Sequence, residues 1–326
     1  MDGGLSWTKF TKNIPPVAVH YIELHKKTND LILATHGRGI IIIDDISPLR
    51  EITSEVINKT LHFFTSKPTV MKDQGGFASS FGTEVQFIGA NPTSAAQIKY
   101  LLPKRHTFGK MTLEIQDMDG KVISTLGAGK SKGINIVNWS YSIKQPKVAK
   151  GKTFSFGGIT SPRVKAGKYK AVITKGKDVF EHVFEVVYDE HAGLTAADRD
   201  LKHSTTMKMY DMTQELAYIV YQLDAILEAN ANNKKLVASL NSLKETLVIT
   251  TGDNYVGSAE PQLREKMADL YAKIAGSYDK PTSNELNYLL IIEESFNQAK
   301  LDFAKLIKKV KLDVLKLKTF DEFLNE

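Results

Sequence analysis

The residues that first suggest chemistry stand close together in the segment LILATHGRGIIIIDDISPLR, residues 31–50. His36 and Arg38 flank a glycine, and the carboxylates Asp44 and Asp45 follow them. A histidine and an arginine beside a glycine turn could bind a carboxylate or a phosphate. The alternative is structural, with His36 bonded to backbone in the turn and Arg38 paired with Asp44 or Asp45. We favour the structural interpretation of this polar cluster, because no nucleophile or catalytic carboxylate pair stands near His36 and Arg38.

A second candidate site is the lysine- and glycine-rich stretch of residues 144–162. A loop this long with no element of its own is typically either functional or mobile, so it is the best candidate for contact with a partner. Its basic and aromatic residues, with the arginine that follows, form a candidate ligand surface for carbohydrate or another protein: Lys150, Lys152, Phe154, Phe156 and Arg163.

Several kinds of site are excluded or unsupported. The chain has no cysteine, which excludes disulfides, thiolate metal sites and cysteine nucleophiles. It has no P-loop, no GxGxxG, HExxH or GxSxG motif, and no paired metal-ligand spacing. We therefore predict no catalytic residue, no cofactor and no metal for this chain. No apolar run approaches the roughly 20 residues that a membrane-spanning helix needs.

The charge of the chain is unevenly distributed. The net charge is +6, yet residues 96–177 alone contain 17 Lys and Arg against three Asp and Glu. Such a surface could bind polyanions such as acidic glycans, lipopolysaccharide or nucleic acid. The alternative is a lysine-rich, solvated β-surface. Specific nucleic-acid binding is not predicted, since the segment has no known binding motif and its aromatics do not interleave with the lysines.

The elements that position these residues begin with a predicted hairpin. Leu31, Leu33 and the run 40–43 are strand formers, and Gly37 and Gly39 mark the turn between them. Pro48 ends the second strand, because proline cannot donate to a sheet ladder. Residues 51–80 are predicted to be a linker whose apolar run 61–64 packs on a neighbouring element.

Short strands separated by turns predict a β-sandwich over residues 81–190. Trp139 ends an apolar strand, which favours a core position over a carbohydrate-stacking platform. The predicted strands number seven and cover residues 85–88, 98–102, 111–116, 122–126, 134–139, 169–174 and 179–187.

The hydrophobic period changes from 2 to 3.6 after residue 194. Four apolar stripes follow, each typical of an amphipathic helix, and together they predict an antiparallel four-helix bundle over residues 194–326. Thr282 and Glu285 have the spacing of a capping box. The stripes begin at Met209, Leu236, Leu263 and Leu289.

The first residues, MDGGLSW, resemble the Asp-box (BNR repeat) of sialidase-like β-propellers, with Asp2, Gly4, Ser6 and Trp7 at the motif positions. In such a box the aspartate accepts turn amides, the glycine takes a positive φ and the tryptophan packs between blades. The Asp-box is a fold element rather than an active site. The hairpin with the sequence ATHGRGI is similar to the last blade of large bacterial BNR-repeat proteins of the "glycosyl hydrolase" or sortilin-like type.

The resemblance extends to the patterns FIGANP, LEIQDMDGKVI, GINIVNW and AGKYKAVI and to the helical end of the chain. It implies a multidomain α+β protein. The expected order is an incomplete last propeller blade (1–50), a linker (51–80), an Ig-like or fibronectin-III-like sandwich (81–190) and a helical bundle (194–326). It also implies an extracytoplasmic location. On this resemblance the chain is expected to be either a C-terminal piece of a longer protein or an open reading frame with a displaced start. A propeller needs several blades, and this chain holds about one.

These observations leave three functional hypotheses. The first is a non-catalytic interaction or structural module that binds glycans, another protein or the rest of its own propeller. The second is a sialidase-like glycoside hydrolase whose active site lies mostly in blades missing from this chain, so that no family catalytic residue can be assigned here. The third is a sandwich that binds polyanions.

Overall fold

The protein has a mixed α+β fold with several separate sheets, which confirms the predicted fold class in its coarse form. The computed structural model describes residues 4–10, 14–72, 93–252, 259–308, 310 and 316–325. The chain divides into two compact units. The first contains residues 1–69, 95–140 and 167–187, and the second contains residues 70–94, 141–166 and 188–326.

The predicted hairpin forms part of a three-stranded antiparallel sheet in the first unit. Its strands are β1 (Val19–His25), β2 (Asp30–Thr35) and β3 (Ile40–Ile43), paired in that order. Gly37 and Gly39 both have positive φ values, +79° and +67°, as the turn between β2 and β3 requires. After β3 the chain enters a short helix, α1 (Ser47–Glu51), with buried Pro48 in its first turn.

The segment predicted to be a linker contains regular structure. It forms α2 (Ser54–Ile57), β4 (His62–Phe63) and β5 (Thr69–Met71), and β5 spans the border between the two units. β4 pairs with β6 (Ala96–Leu102), and Leu61 and Phe64 are buried, which confirms the packing predicted for this apolar run.

Six of the seven predicted sandwich strands are present, and the predicted strand 85–88 lies outside the described residues. The structure gives β6, β7 (Met111–Gln116), β8 (Val122–Gly127), β9 (Gly133–Trp139), β10 (Gly167–Lys175) and β11 (Asp178–Tyr188). Within the first unit one sheet has the order β4–β6–β9, and a second contains the order β11–β10–β7–β8. Trp139 on β9 is only 1% exposed and meets the rings of Tyr169 and Phe184 edge-on, as predicted for a core tryptophan.

The four predicted helical stripes each lie on a helix of the second unit. These helices are α3 (Ala196–Ala229), α4 (Lys234–Leu247), α5 (Leu263–Gly276) and α6 (Ser283–Ile307), and a short α7 (Phe320–Asn325) follows. The capping box of Thr282 and Glu285 begins α6 as predicted. Side chains of α3 to α6 share one hydrophobic cluster, which also includes Ala149 from the loop before β10. None of the helices that the structure describes is long and apolar enough to cross a membrane.

Candidate functional site

The loop of residues 144–166 is fastened to α5 by a buried polar cluster. Thr153 Oγ1 donates to Glu265 Oε1 at 2.9 Å, and Arg264 Nη2 donates to the Thr153 carbonyl at 3.0 Å. Arg264 Nη1 lies 2.6 Å from Glu265 Oε1. Arg264 and Glu265 are only 6% and 8% exposed. A buried ion pair holds its geometry when further hydrogen bonds satisfy it, and Thr153 of the loop supplies them here.

A close backbone approach fixes the loop at a second point. A Cβ on Gly157 would lie 3.0 Å from the Ala268 Cβ and 3.1 Å from its Cα, so only glycine fits there without a shift. Tyr271 donates to the Thr160 carbonyl at 2.9 Å, and burial raises the pKa of its phenol. Between these anchors the chain forms a 3-10 helix, Phe156–Ile159. The loop is therefore fastened to α5 at three points, Thr153, Gly157 and Thr160.

The anchored loop turns three apolar side chains outward. Phe154, Phe156 and Ile159 are 54%, 52% and 57% exposed, and we call them the aromatic ridge. The two phenyl rings meet edge-to-face, with centroids 5.2 Å apart and planes at 90°. Rigid, exposed aromatic side chains bind partners at a low entropic cost, because little rotamer freedom is lost on contact.

The basic members of the predicted ligand surface separate into two groups. Lys150 and Lys152 are exposed and precede the ridge in the chain. Arg163 is half-buried, donates to the Lys72 carbonyl at 2.9 Å and to the Tyr278 hydroxyl at 3.2 Å, and lies over the Tyr278 ring. Arg163 therefore holds the end of the loop rather than extending the ridge.

The polar cluster at the first hairpin is arranged around Asp45. Lys99 donates to its carboxylate at 2.6 Å, so the predicted partner Arg38 is not the cation on Asp45. Asp45 also has a φ of +43° and accepts from Ser47 at 2.5 Å. Burial acts to raise the pKa of the Asp45 carboxyl, but the bonds from Lys99 and Ser47 outweigh it and lower the pKa.

The remaining members of this cluster lie at the surface. Asp44 and Arg38 are exposed. His36 is exposed too, and its backbone N–H donates to the Ala18 carbonyl at 2.9 Å. Its ring stacks on His20, with centroids 5.2 Å apart. Asp45 and His36 therefore contact neighbouring groups of the protein, and the structural interpretation of this cluster stays a prediction.

Of the Asp-box residues, Asp2 lies outside the part of the chain that the structure describes. Gly4 has a φ of +92°, and the Trp7 indole N–H donates to its carbonyl at 2.9 Å. Ser6 and Trp7 are exposed, and Trp7 is 91% exposed, whereas the resemblance implied a tryptophan packed between blades.

Sequence reasoning missed the anchoring cluster and one cavity. Arg264 and Glu265 lie directly after Leu263, the first residue of an apolar stripe, and no local pattern distinguishes a buried Arg–Glu pair from an exposed one. The cavity lies in the second unit. The sequence does contain a sign of it, because the spacing of Arg199, Lys202, His203 and Thr206 places these cavity residues on one face of α3. No group of three or more histidines and carboxylates suited to a metal occurs among the residues described.

Comparison with known proteins assigns no family to this chain. No protein-family model matches this chain, and no curated protein matches it. Among solved structures, the chain is similar to PorZ, described as an essential bacterial surface component of the type-IX secretion system of Porphyromonas gingivalis. The identity is 16%, the TM-score is 0.18, and the match covers 52% of this chain but only 23% of PorZ. A TM-score this low supports no argument about function.

Proposed function

We propose that this chain is a non-catalytic interaction module that binds another protein through the aromatic ridge. The observation that carries the proposal is the ridge itself: two phenylalanines and an isoleucine are exposed on a loop fastened by Thr153, Gly157 and Thr160. Protein-binding hot spots are rigid apolar or aromatic anchors that fill a pocket on the partner. Lys150 and Lys152, which are exposed and precede the ridge in the chain, favour a partner with an acidic rim around that pocket.

The geometry of the ridge favours a protein over a carbohydrate. A sugar ring stacks its C–H face on one flat aromatic surface, and polar side chains around it bind the hydroxyls. Phe154 and Phe156 stand at 90° to each other and form a corner rather than a flat platform. Trp139, the other residue considered for stacking, is buried. A corner of two rings fits an apolar notch in a protein surface better than a pyranose.

We further propose the finer architecture that the resemblance implies. The contacts of Trp139 with Tyr169 and Phe184 support an Ig-like sandwich made from the β4–β6–β9 sheet and the sheet that contains β11–β10–β7–β8. The shared core of α3 to α6 supports a four-helix bundle. Domain limits at 1–50, 51–80, 81–190 and 194–326, and an extracytoplasmic location, belong to this proposal.

The β1–β3 sheet supports its assignment as the last blade of an Asp-box propeller. Tyr21, Ile40 and Ile42 are exposed on one face of the sheet, and Ile22 is exposed on the other. A propeller blade is covered by neighbouring sheets on both faces, so apolar side chains on both faces fit that role. The occupant we assign to these faces is a neighbouring blade of a longer protein.

Site-specific cross-linking tests the function. A photoreactive phenylalanine analogue at position 156, in the full chain within its own organism, is expected to give a discrete cross-linked product with an acidic protein. Phe154→Ser should abolish the product, and Lys152→Glu should weaken it, while neither substitution changes the melting temperature, because both side chains are exposed.

The matched control places the same analogue at Leu301, which is 57% exposed on α6. Equal products from positions 156 and 301, no product at all, or a product that survives Phe154→Ser would overturn the proposal. Binding to a glycan array that depends on Phe154 and Phe156 would reassign the ridge to carbohydrate.

A further inference from the structure

We propose that a groove on α3 is a docking site for a helical segment of a partner protein, and that the chain's own residues 316–325 occupy it as a competitor. Two tyrosines of α3 and two lysines of the loop of residues 144–166 form this groove: Tyr218, Tyr221, Lys144 and Lys147. We call it the tyrosine–lysine groove, and we call residues 316–325, which include α7, the C-terminal segment. Both belong to the second unit.

The aromatic side of the groove holds two phenylalanine rings of the C-terminal segment. Tyr218 and Tyr221 are about one helical turn apart, and their rings stack with centroids 6.0 Å apart. Phe323 stacks on Tyr221 with centroids 5.1 Å apart, and Phe320 meets Tyr218 edge-on at 5.3 Å. Lys147 lies over the Phe323 ring, 4.6 Å from its centroid. Because the two phenylalanines are three residues apart on α7, the groove binds a pair of rings at this helical spacing.

Polar groups of the groove bind the backbone at both ends of α7. The Tyr218 hydroxyl donates to the Lys318 carbonyl at 2.7 Å, just before the helix begins. At the other end Lys147 donates to the Phe323 carbonyl, and Lys144 donates to the carbonyl of the following residue at 3.2 Å. The last carbonyls of a helix have no partner within the helix and carry the negative end of its dipole, so the two lysines stabilise that end.

The C-terminal segment begins its own helix but is only partly buried in the groove. Thr319 and Glu322 form a capping box, in which the Thr319 N–H donates to Glu322 Oε2 at 2.8 Å and the Glu322 N–H donates to Thr319 Oγ1 at 3.3 Å. A helix of six residues is unstable alone in water, so α7 depends on its docking. None of the six residues of α7 is fully buried. A segment with so little buried surface leaves its site at a low cost in free energy, which opens the groove to a competitor.

The resident segment defines the chemistry of the partner. A partner that displaces it needs a short helix with two aromatic rings three residues apart, and the carboxyl end of that helix must meet the two lysines. The groove is formed before binding, because its tyrosines belong to a helix of 34 residues and its lysines to the loop that Thr153 fastens to α5. Aromatic anchors of a helix in a preformed groove are an established mode of peptide recognition.

Fluorescence anisotropy with a labelled peptide of residues 316–326 tests the groove. The receptor is the full chain carrying Phe320→Ser and Phe323→Ser, which frees the groove and preserves the core, because neither phenylalanine is fully buried. This double variant should bind the peptide saturably. The wild-type chain should bind it roughly tenfold more weakly or worse, since only the fraction with an undocked segment is able to bind. Equal affinity of the two chains, or no saturable binding by the double variant, overturns the proposal.

Two matched controls test what the groove recognises. A peptide in which Phe320 and Asp321 exchange places keeps its composition and charge, but its rings no longer share one face of the helix, so binding should be lost. In the receptor, Tyr221→Ser should weaken binding roughly tenfold, because it removes a ring that stacks on Phe323. Tyr288→Ser, the same change at an exposed position of α6, should leave affinity within about twofold. Binding of the exchanged peptide, or equal effects of the two tyrosine substitutions, would contradict the site.

Three further measurements complete the test. If Tyr221→Ser alters the circular dichroism spectrum, Lys147→Gln replaces it and should weaken binding about three- to tenfold, and unchanged affinity would count against the site. Phe154→Ser should leave peptide affinity unchanged, whereas a loss would mean that the peptide binds at the aromatic ridge and not in the groove. Sedimentation of the wild-type chain should show a monomer. A dimer that excess peptide dissociates would assign the groove to the C-terminal segment of a second copy and overturn the partner proposed here.

Discussion

Arg264 and Glu265 are consecutive residues of α5, and their side chains form a buried ion pair, with Nη1 of one 2.6 Å from Oε1 of the other. Thr153 of the loop bonds to both residues. Neighbours in a helix do not face each other, and here the Thr153 hydroxyl bonds to both partners of the pair. The bonds between Thr153 and this pair therefore hold the loop against α5 and stabilise the second unit.

Arg264→Met should destabilise the protein by about 3–5 kcal/mol, because it leaves the Glu265 carboxylate buried without its cation. The free energy of unfolding from urea denaturation measures this loss. Lys266→Met is the matched control, since Lys266 is exposed on the same helix, and it should change stability by less than about 0.5 kcal/mol. Equal effects of the two substitutions would show that the pair is not buried in solution.

Gly157→Ala should destabilise the protein by about 1–3 kcal/mol, because the added Cβ would lie 3.0 Å from the Ala268 Cβ and 3.1 Å from its Cα, closer than ordinary van der Waals contact. Thermal unfolding measures the change. Gly193→Ala is the control, as a Cβ there meets nothing within 4 Å, and it should be neutral or slightly stabilising. A neutral Gly157→Ala would mean that the contact between Gly157 and Ala268 relaxes enough to admit a methyl group.

The predicted strands and helices agree with the structure wherever one local pattern decides the outcome. β7 was predicted with its observed limits because Met111, Leu113 and Ile115 alternate with polar residues. A local pattern carries no information about contacts between residues that are far apart in the sequence. Lys99 reaches Asp45 across 54 residues, and Thr153 reaches Glu265 across 112, so neither contact has a local signature.

The loop of residues 144–166 illustrates the second limit of sequence reasoning. Its glycines and lysines are typical of a mobile surface loop, yet Gly157 lies so close to α5 that a Cβ there would be 3.0 Å from the Ala268 Cβ. A glycine that permits close approach and a glycine that permits motion look identical in one sequence. The exposure of Phe154 and Phe156 was equally hard to predict. In this loop the polar Thr153 is buried and the two phenylalanines are exposed, which is the reverse of what residue type alone indicates.

Asp45→Asn should lower stability by about 1 kcal/mol at neutral pH, a modest value because the Asp45 side chain is 31% exposed and screened by solvent. Asparagine tolerates the positive φ of this position, so the change adds no backbone strain and removes the charge together with one accepting oxygen. The folded-state pKa of Asp45 is lowered. The stabilisation is therefore complete above the ordinary aspartate pKa of about 4 and is lost as the pH falls through the folded-state pKa.

Urea denaturation of wild type and Asp45→Asn at about pH 7 and about pH 2.5 checks this dependence, with the difference between them shrinking at the lower pH. Asp44→Asn is the control, because Asp44 is exposed, and it should have little effect at either pH. A difference that stays constant with pH would mean that Lys99 does not stabilise the Asp45 carboxylate.

The two tryptophans of the chain should differ sharply in both stability and fluorescence. Trp139→Ala should cost about 3–5 kcal/mol, because it empties a core position between Tyr169 and Phe184. Trp7→Ala should cost less than about 0.5 kcal/mol, since its indole is 91% exposed. Trp7→Phe should leave only the blue-shifted emission of a buried indole, and Trp139→Phe only the red-shifted emission of a solvated one.

Trp7 also reports on the proposed blade. If a neighbouring sheet covers the β1–β3 region in a longer protein, the Trp7 emission should shift to the blue there, while that of Trp139 stays unchanged. Dilution of the present chain should not move either emission maximum, because Trp7 is exposed within a single copy. Blue-shifted Trp7 emission that reddens on dilution would instead mean that copies of this chain cover each other, and the faces assigned to a neighbouring blade would then belong to self-association.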